Sequence, residues 1–302
     1  MVYYNTLPKI QGKYRQNVNI GQMCWFKTNA LTDILYIPKN IDDLQYFLMT
    51  KPSSMIVHIV GIGSNLLIRD GGIKGVTILL RSGFNYIMHI DNILKVGCAC
   101  LDLNVAYYAV NNSISGLEFF AGIPGTIGGA LATNAGAYGN DTSSILIKAK
   151  AISILTGEIK IFQNQDIGYH YRGKKLTNEW LFLEATFQGR KGNKNTILEV
   201  MKKNKKRRST TQPISAKTGG STFKNPPHYK AWKLIDQCGL RGVKIGDATF
   251  SKLHSNFLIN QGNAKAKDLE HLIILANKKV KETFNINLEQ EIKIIGDYLY
   301  KY

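Results

Sequence analysis

Cysteine is scarce in this 302-residue chain, with Cys24, Cys98, Cys100 and Cys238 its only four. They form no CxxC pair and have no histidine at ligand spacing, so no zinc site and no disulfide framework is indicated. No uninterrupted apolar stretch reaches the ~18 residues that a bilayer-spanning helix needs. The opening MVYYNTLPKIQGKYRQ lacks the apolar core of a signal peptide. The chain therefore reads as a soluble, cytoplasmic enzyme with no membrane partner. Acidic residues are also few, 21 against 39 Lys plus Arg, for a net charge of +18. That imbalance favours anionic partners such as nucleic acid or phosphate-bearing small molecules. Part of it has a blander source, because KKNKKRR and the many Asn and Ile residues are what an AT-rich genome produces. Hydrophobic residues at 44% and charged ones at 20% exclude wholesale disorder. The length corresponds to about two domains at ~150 residues each.

Strand and helix signals alternate without a fixed repeat. Strands are predicted at 31–37, 55–60 and 76–80. Two hairpins follow, 86–90 with 93–96 and 151–155 with 159–162, and then a strand at 181–187. Helical spacing covers 101–110, 196–208, 229–239 and 267–284. The turn-rich STTQPISAKTGGSTFKNPP after the basic helix marks a domain boundary. Beyond it a strand is expected at 256–260 and a last one at 288–295.

Several segments carry chemistry. GIGSNLL, Gly61 to Leu67, ends a strand, and its glycines allow successive backbone N–H groups to converge on an anion. It is not the dinucleotide fingerprint, since position 66 is Leu rather than a third glycine. On the residues alone it is either a phosphate cradle or a plain turn. GLEFFAGIPGTIGGALATNAGAYG, residues 116–139, holds six glycines between Gly122 and Gly139. Such a run serves the close approach of a cofactor or of another backbone. GYHYRGKK nearly matches a P-loop, but Lys175 stands where a Mg²⁺-binding hydroxyl belongs, so that reading is rejected.

In KTGGSTFKNP, Ser221 behind two glycines is either a proton donor or part of a hinge, while Lys224 and Asn225 could hold a polar ligand. No GxSxG elbow surrounds it, which argues against a serine hydrolase. Glu289 and Glu291 would share one face of the last strand, where carboxylates are usually solvated. The basic run Lys202 to Arg208 has no interleaved aromatics to stack bases and reads as a solvated helix face.

In order and spacing, GxGSNLL, GLEFxAGIPGTIGGAxxxNAGAYG, YR, GGSTFKNP, HxNFxIN and LxxEI..IG together resemble the UDP-N-acetylenolpyruvoylglucosamine reductase family. These are the flavoenzymes also called UDP-N-acetylmuramate dehydrogenases. The resemblance runs from about Thr28 to Gly296, in the subgroup lacking an extra tyrosine-bearing loop. It implies an α+β fold: a vanillyl-alcohol-oxidase (PCMH) type FAD-binding domain over 1–205, made of two subdomains meeting near 80–85. A smaller α+β substrate-binding domain would occupy 206–302.

FAD would be held non-covalently by Gly61, Gly63, Ser64, Asn65 and Leu66, by Gly122, Ile123, Pro124, Gly125 and Gly129, and by Asn134 and Gly136. NADPH would be co-substrate. The family's catalytic trio falls on Arg172, Ser221 and Glu291. Hydride would pass from FAD N5 to C3 of the enolpyruvyl group and a proton from Ser221 to C2, in peptidoglycan precursor synthesis. Asn225 and His254 would face the UDP-sugar. No metal and no nucleic acid partner is implied, and a monomer is the default reading of an oligomeric state that the sequence leaves open.

There are departures. Ile62 replaces a usual Gly or Glu, where only backbone matters. Lys174 stands where the YRxS pattern has serine, so Lys174 is expected either to leave Arg172 less supported or to point at a phosphate. The competing readings are another FAD oxidoreductase of the same fold, or a basic nucleic-acid binder. The latter gives the 116–139 block no purpose.

Overall fold

The computed structural model describes residues 6–299. The chain divides into two compact units: residues 1–15, 34–61 and 75–207, and residues 16–33, 62–74 and 208–302. The division is not linear in sequence, because two N-terminal segments belong with the C-terminal part.

The first unit has two cores. In one, strands Leu31–Ile37, Ile73–Ile78 and Val57–Ile59 lie in that order, with residues 34–37, 75–78 and 57–59 belonging to this unit. The pairs Val57–Val76, His58–Thr77 and Ile59–Ile78 are parallel. Helix Ile41–Thr50 begins where the Asn40 side chain accepts the Asp43 N–H at 2.9 Å, a typical N-cap. Leu44, Phe47 and Leu48, at helical spacing, bury one face against Ile34, Tyr36, Val76 and Ile78.

The other core lies on a five-stranded antiparallel sheet ordered Ile159–Gln163, Leu146–Ser153, Trp180–Gln188, Ile93–Gly97 and Ile87–Ile90. Both predicted hairpins are in it. Helix Asp102–Asn111 buries Val105, Ala106, Ala109 and Val110 in the same core. So does the short helix Ile127–Thr133, drawn from the glycine-rich stretch.

In the second unit, helices Ala231–Gln237 and Ala266–Phe284 share a core with a three-stranded sheet of Lys244–Ile245, Ala248–Phe250 and Leu258–Asn260. Lys293–Ile295 pairs in parallel with Leu66–Ile68.

Three expectations need correction. The basic helix runs Lys194–Thr211 rather than 196–208, so the composition boundary falls inside it. The strand expected from residue 256 starts at Leu258, because residues 254–257 form a turn closed by the Phe257 N–H on the His254 carbonyl. The last strand is only Lys293–Ile295, so Glu289 and Glu291 are not on one of its faces. Instead Phe223 and Gln290 meet in an isolated antiparallel bridge. No described helix is long and apolar enough to cross a membrane.

Candidate active site

The glycine-rich stretch folds as a 3-10 turn, Glu118–Gly122, the helix Ile127–Thr133, and a short strand Gly136–Ala137. Its glycines serve two different ends. A Cβ at Gly122 would lie 2.5 Å from the Tyr138 ring, and one at Gly128 only 3.2 Å from Cys98. Those two glycines are required by protein packing. A Cβ at Gly61 or at Gly129 would meet only the Thr126 hydroxyl, at 3.3 and 3.8 Å. Gly61 and the Thr126–Gly129 turn are therefore neighbours within the first unit, although 65 positions separate Gly61 from Thr126 in the chain. The N–H groups of Thr126 and Gly129 donate to no backbone carbonyl among the described residues, whereas Ile127 and Gly128 bond Cys100 and Cys98. Open space beside uncommitted N–H donors is what a pyrophosphate needs, so the first unit fits an FAD.

Residues 62–66 of the other glycine loop belong to the second unit. Gly63 is left-handed at φ +66°, and a Cβ there would come within 2.7 Å of the Cys24 Cα. The Trp25 N–H bonds the Gly63 carbonyl at 3.1 Å, while the N–H groups of 62–65 donate to no backbone carbonyl among the described residues. Asn134 and Gly136 are used structurally. The Asn134 side chain bonds Asp141, the His170 carbonyl and the Ser143 N–H, and the residue caps its helix in the left-handed region.

Asp102, at the first position of its helix, is wholly buried, and neither carboxylate oxygen has a hydrogen-bond partner among the described residues. Burial holds its carboxyl well above the usual carboxylate range. Its N–H bonds the Gly125 carbonyl at 3.1 Å, next to the cradle turn. Burial likewise pushes the Cys98 thiol up, and Cys100 to about 11, so both stay protonated.

Arg172 belongs to the first unit, and Ser221 and Glu291 to the second. Arg172 sits at the tip of a hairpin of Tyr169–His170 and Gly173–Lys174. Its φ is +53°, a left-handed conformation costing of order 1–2 kcal/mol in a residue with a Cβ. Its Nη2 donates to the Gly136 carbonyl at 2.7 Å, and the guanidinium carbon lies 5.5 Å from the Tyr171 ring centroid. Lys174 does not present itself to a phosphate. Its ammonium donates to the carbonyls of Leu176 and Thr177, the latter at 3.2 Å, and lies 3.4 Å from the Asn178 side-chain oxygen, pinning that loop.

Ser221 follows Gly220, left-handed at φ +81°, and its half-buried hydroxyl has no hydrogen-bond partner among the described residues. The extended segment that carries it runs beside residues 289–291, bridged to them at Phe223 and Gln290. The Thr222 carbonyl accepts the Glu291 N–H at 2.8 Å, and the Lys224 N–H reaches the Glu289 carbonyl at 2.8 Å. Asn65 donates to the Glu291 carbonyl at 3.1 Å. Glu289 points outward and pairs with the Lys224 ammonium at 2.6 Å.

The Asn225 side chain accepts the Ala231 N–H at 3.1 Å, fixing the start of the next helix. His254 stacks edge-on to Phe257, and its Nδ1 accepts the Asn256 N–H at 3.3 Å, so the neutral ring carries its proton on Nε2. Burial keeps its pKa below 6.5. Asn65 and Asn256, which anchor the backbone around Glu291 and Ser221, were not singled out as anchors by sequence reasoning. Their partners lie 226 and 33 positions away, and no local spacing betrays them.

An FAD-binding α+β domain of the PCMH type, joined to a smaller α+β unit, defines the class as a flavin oxidoreductase. The FAD binding domain model matches residues 32–162, and the model for the UDP-N-acetylenolpyruvoylglucosamine reductase C-terminal domain matches 212–295. The enzyme of that name from Rickettsia typhi is 46% identical over 97% of this chain and 99% of its own length. The one from Rickettsia prowazekii is 45% identical over the same shares. A crystal structure of the Thermus caldophilus reductase superposes with a TM-score of 0.80 at 27% identity, covering 95% of this chain and 99% of that one. The chain belongs to the UDP-N-acetylenolpyruvoylglucosamine reductase family.

Proposed function

We propose that this protein reduces UDP-N-acetylglucosamine enolpyruvate to UDP-N-acetylmuramate with NADPH as reductant, in cytoplasmic peptidoglycan precursor synthesis. The observation that carries the reading is the match to a reductase of that name over 97% of this chain and 99% of the relative, and Arg172, Ser221 and Glu291 as the residues at the family's motif positions support it. In this reading residues 1–205 bind cofactor and 206–302 bind the UDP-sugar. Thr126 and Gly129 would hold an FAD phosphate through their N–H groups, with Gly61 leaving room, and the 62–66 loop would contribute further donors. FAD, when bound, supplies the two-electron relay between NADPH and C3 of the enolpyruvyl group.

Hydride addition at C3 leaves negative charge at C2 and on the adjacent carboxylate. Charge of that kind is stabilised by donors already fixed in place. Arg172, always charged and fork-shaped, clamps the carboxylate, at ~1.5–3 kcal/mol per charged hydrogen bond. Glu291 stabilises the enol by hydrogen bonding. The Ser221 hydroxyl gives its proton to C2 and recovers one from solvent. A serine hydroxyl is a feeble acid, so it suits only a strongly basic carbon such as this. Asn225 and His254 face the UDP-sugar, the histidine as a neutral donor through Nε2.

Ser221→Ala tests the assignment. Flavin reduction by NADPH is expected to stay near wild type, while reoxidation by the enolpyruvyl substrate slows by ~10²–10⁴, the usual worth of a general acid. An equal fall in both half-reactions, followed separately by anaerobic stopped-flow absorbance, would contradict proton donation.

A further inference from the structure

The extended segment bearing Ser221 lies outside any regular strand, yet it is bonded along both edges, and one edge is completed by a side chain. On the Glu291 edge its partners are backbone: Glu291 N–H to Thr222 carbonyl, and Lys224 N–H to Glu289 carbonyl. On the other edge Ser221 bridges Phe257, and the Thr222 N–H bonds the Asn256 carbonyl at 2.7 Å. There the 254–257 turn leads the chain away. The Asn256 carboxamide takes over, its oxygen accepting the Phe223 N–H at 3.0 Å and its nitrogen donating to the Phe223 carbonyl at 2.8 Å. Both groups are buried, with Asn256 4% and Phe223 1% exposed. The amide thus pairs with Phe223 as another strand residue would.

We infer that Asn256 is a positioning residue for Ser221: it fixes the register of residues 221–223 against Glu291, and with it where the Ser221 hydroxyl stands. The inference rests on the proposed function, in which Ser221 is the proton donor. Without the Asn256 amide, Phe223 loses both partners on that edge, and only the Thr222 N–H bond to the Asn256 carbonyl and the Ser221–Phe257 bridge remain there. A shift near 1 Å at a reacting group is worth roughly 10²-fold in rate. Serine is especially exposed to such a shift because its hydroxyl has no hydrogen-bond partner among the described residues to hold it.

The test is Asn256→Asp in the FAD-loaded enzyme, with Asn256→Ala beside it. Aspartate keeps the acceptor for the Phe223 N–H and, when ionised, loses the donor to its carbonyl. Reoxidation by UDP-N-acetylglucosamine enolpyruvate is expected to fall roughly 10- to 100-fold, while reduction by NADPH stays within about twofold. In a Ser221→Ala background the Asn256 change is expected to cost nothing further, since both act on one proton transfer. An equal loss in that background, or an equal loss in both half-reactions, overturns the positioning role.

If neither variant folds, hydrogen exchange of the wild-type Phe223 amide decides. Strong protection supports the pairing, and exchange at the rate of an exposed loop amide overturns it. A wild-type enzyme that the enolpyruvyl substrate cannot reoxidise overturns the proposed function itself. The two failures are told apart because loss of the positioning role alone leaves wild-type reoxidation intact.

Discussion

The glycine-rich turn of the first unit and the Ser221 segment of the second solve opposite problems with the backbone. At Gly61 and Gly129 the side chain is withheld, and the N–H groups of Thr126 and Gly129, uncommitted to any backbone carbonyl among the described residues, stay open to a ligand. At Phe223 a side chain is supplied, so that a buried N–H and C=O do not go without partners. The first arrangement gives up protein hydrogen bonds for ligand capacity. The second uses long-range hydrogen bonds to hold one hydroxyl still. A single-residue change should therefore act differently in the two places, on ligand retention in one and on the geometry of a chemical step in the other.

The largest expected effect outside the Ser221 segment is at Arg172. Arg172→Lys keeps the charge but loses the fork and the reach to the Gly136 carbonyl. The second-order rate constant for the enolpyruvyl substrate is expected to fall about 10- to 100-fold, equivalent to ~1.5–3 kcal/mol. Reduction by NADPH should be untouched, and steady-state kinetics beside single-turnover reduction would show the split.

Gly63→Ala acts on the glycine loop of the second unit, where the missing Cβ makes room for Cys24. It places a Cβ against Cys24 at a left-handed φ, and an expected loss of ~1–3 kcal/mol of stability should come with weaker flavin retention, read by thermal melts and the flavin-to-protein absorbance ratio.

Asp102→Asn probes the neighbourhood of the turn by pH. The folded carboxyl binds its proton more tightly than the unfolded one. The stability this gives is complete below the unfolded pKa near 4 and is lost as pH rises. The asparagine variant is therefore expected to be more stable than wild type at pH 8, with the gain shrinking toward pH 4 in denaturant titrations.

Smallest is Lys174→Ser, which restores the family's YRxS pattern. Because Lys174 pins the 176–178 loop, kinetics for both substrates should be unchanged, with ~0.5–1.5 kcal/mol of stability lost per hydrogen bond removed.

The sequence made some of this legible and hid the rest for identifiable reasons. Both hairpins of the antiparallel sheet and the helix bearing Leu44, Phe47 and Leu48 follow from local periodicity and capping. A run of small residues announced that something passes close to 116–139. It did not say which glycines meet protein, as Gly122 meets Tyr138, and which stand open, as Gly129 does. The acidic pair was read as one strand face, whereas Glu289 is a surface ion-pair partner and Glu291 is placed by the Thr222 carbonyl. Asn256 lies inside the HSNFLIN motif, yet its work is a pairing with Phe223, 33 residues earlier. Periodicity reports on neighbours in sequence and cannot register such a bond. The non-linear division of the units was hidden likewise, since only pairings such as Leu66–Ile68 with Lys293–Ile295 define it.

The central claim is that this chain is a flavoenzyme acting on an enolpyruvyl UDP-sugar. Its most direct test is the visible absorption spectrum of the purified protein, before and after anaerobic NADPH and again after UDP-N-acetylglucosamine enolpyruvate. Flavin bands that bleach with NADPH and return with the enolpyruvyl substrate are the expected result. A protein that bleaches but does not recover would contradict the proposed substrate, and one that cannot be loaded with FAD would contradict the account at its root.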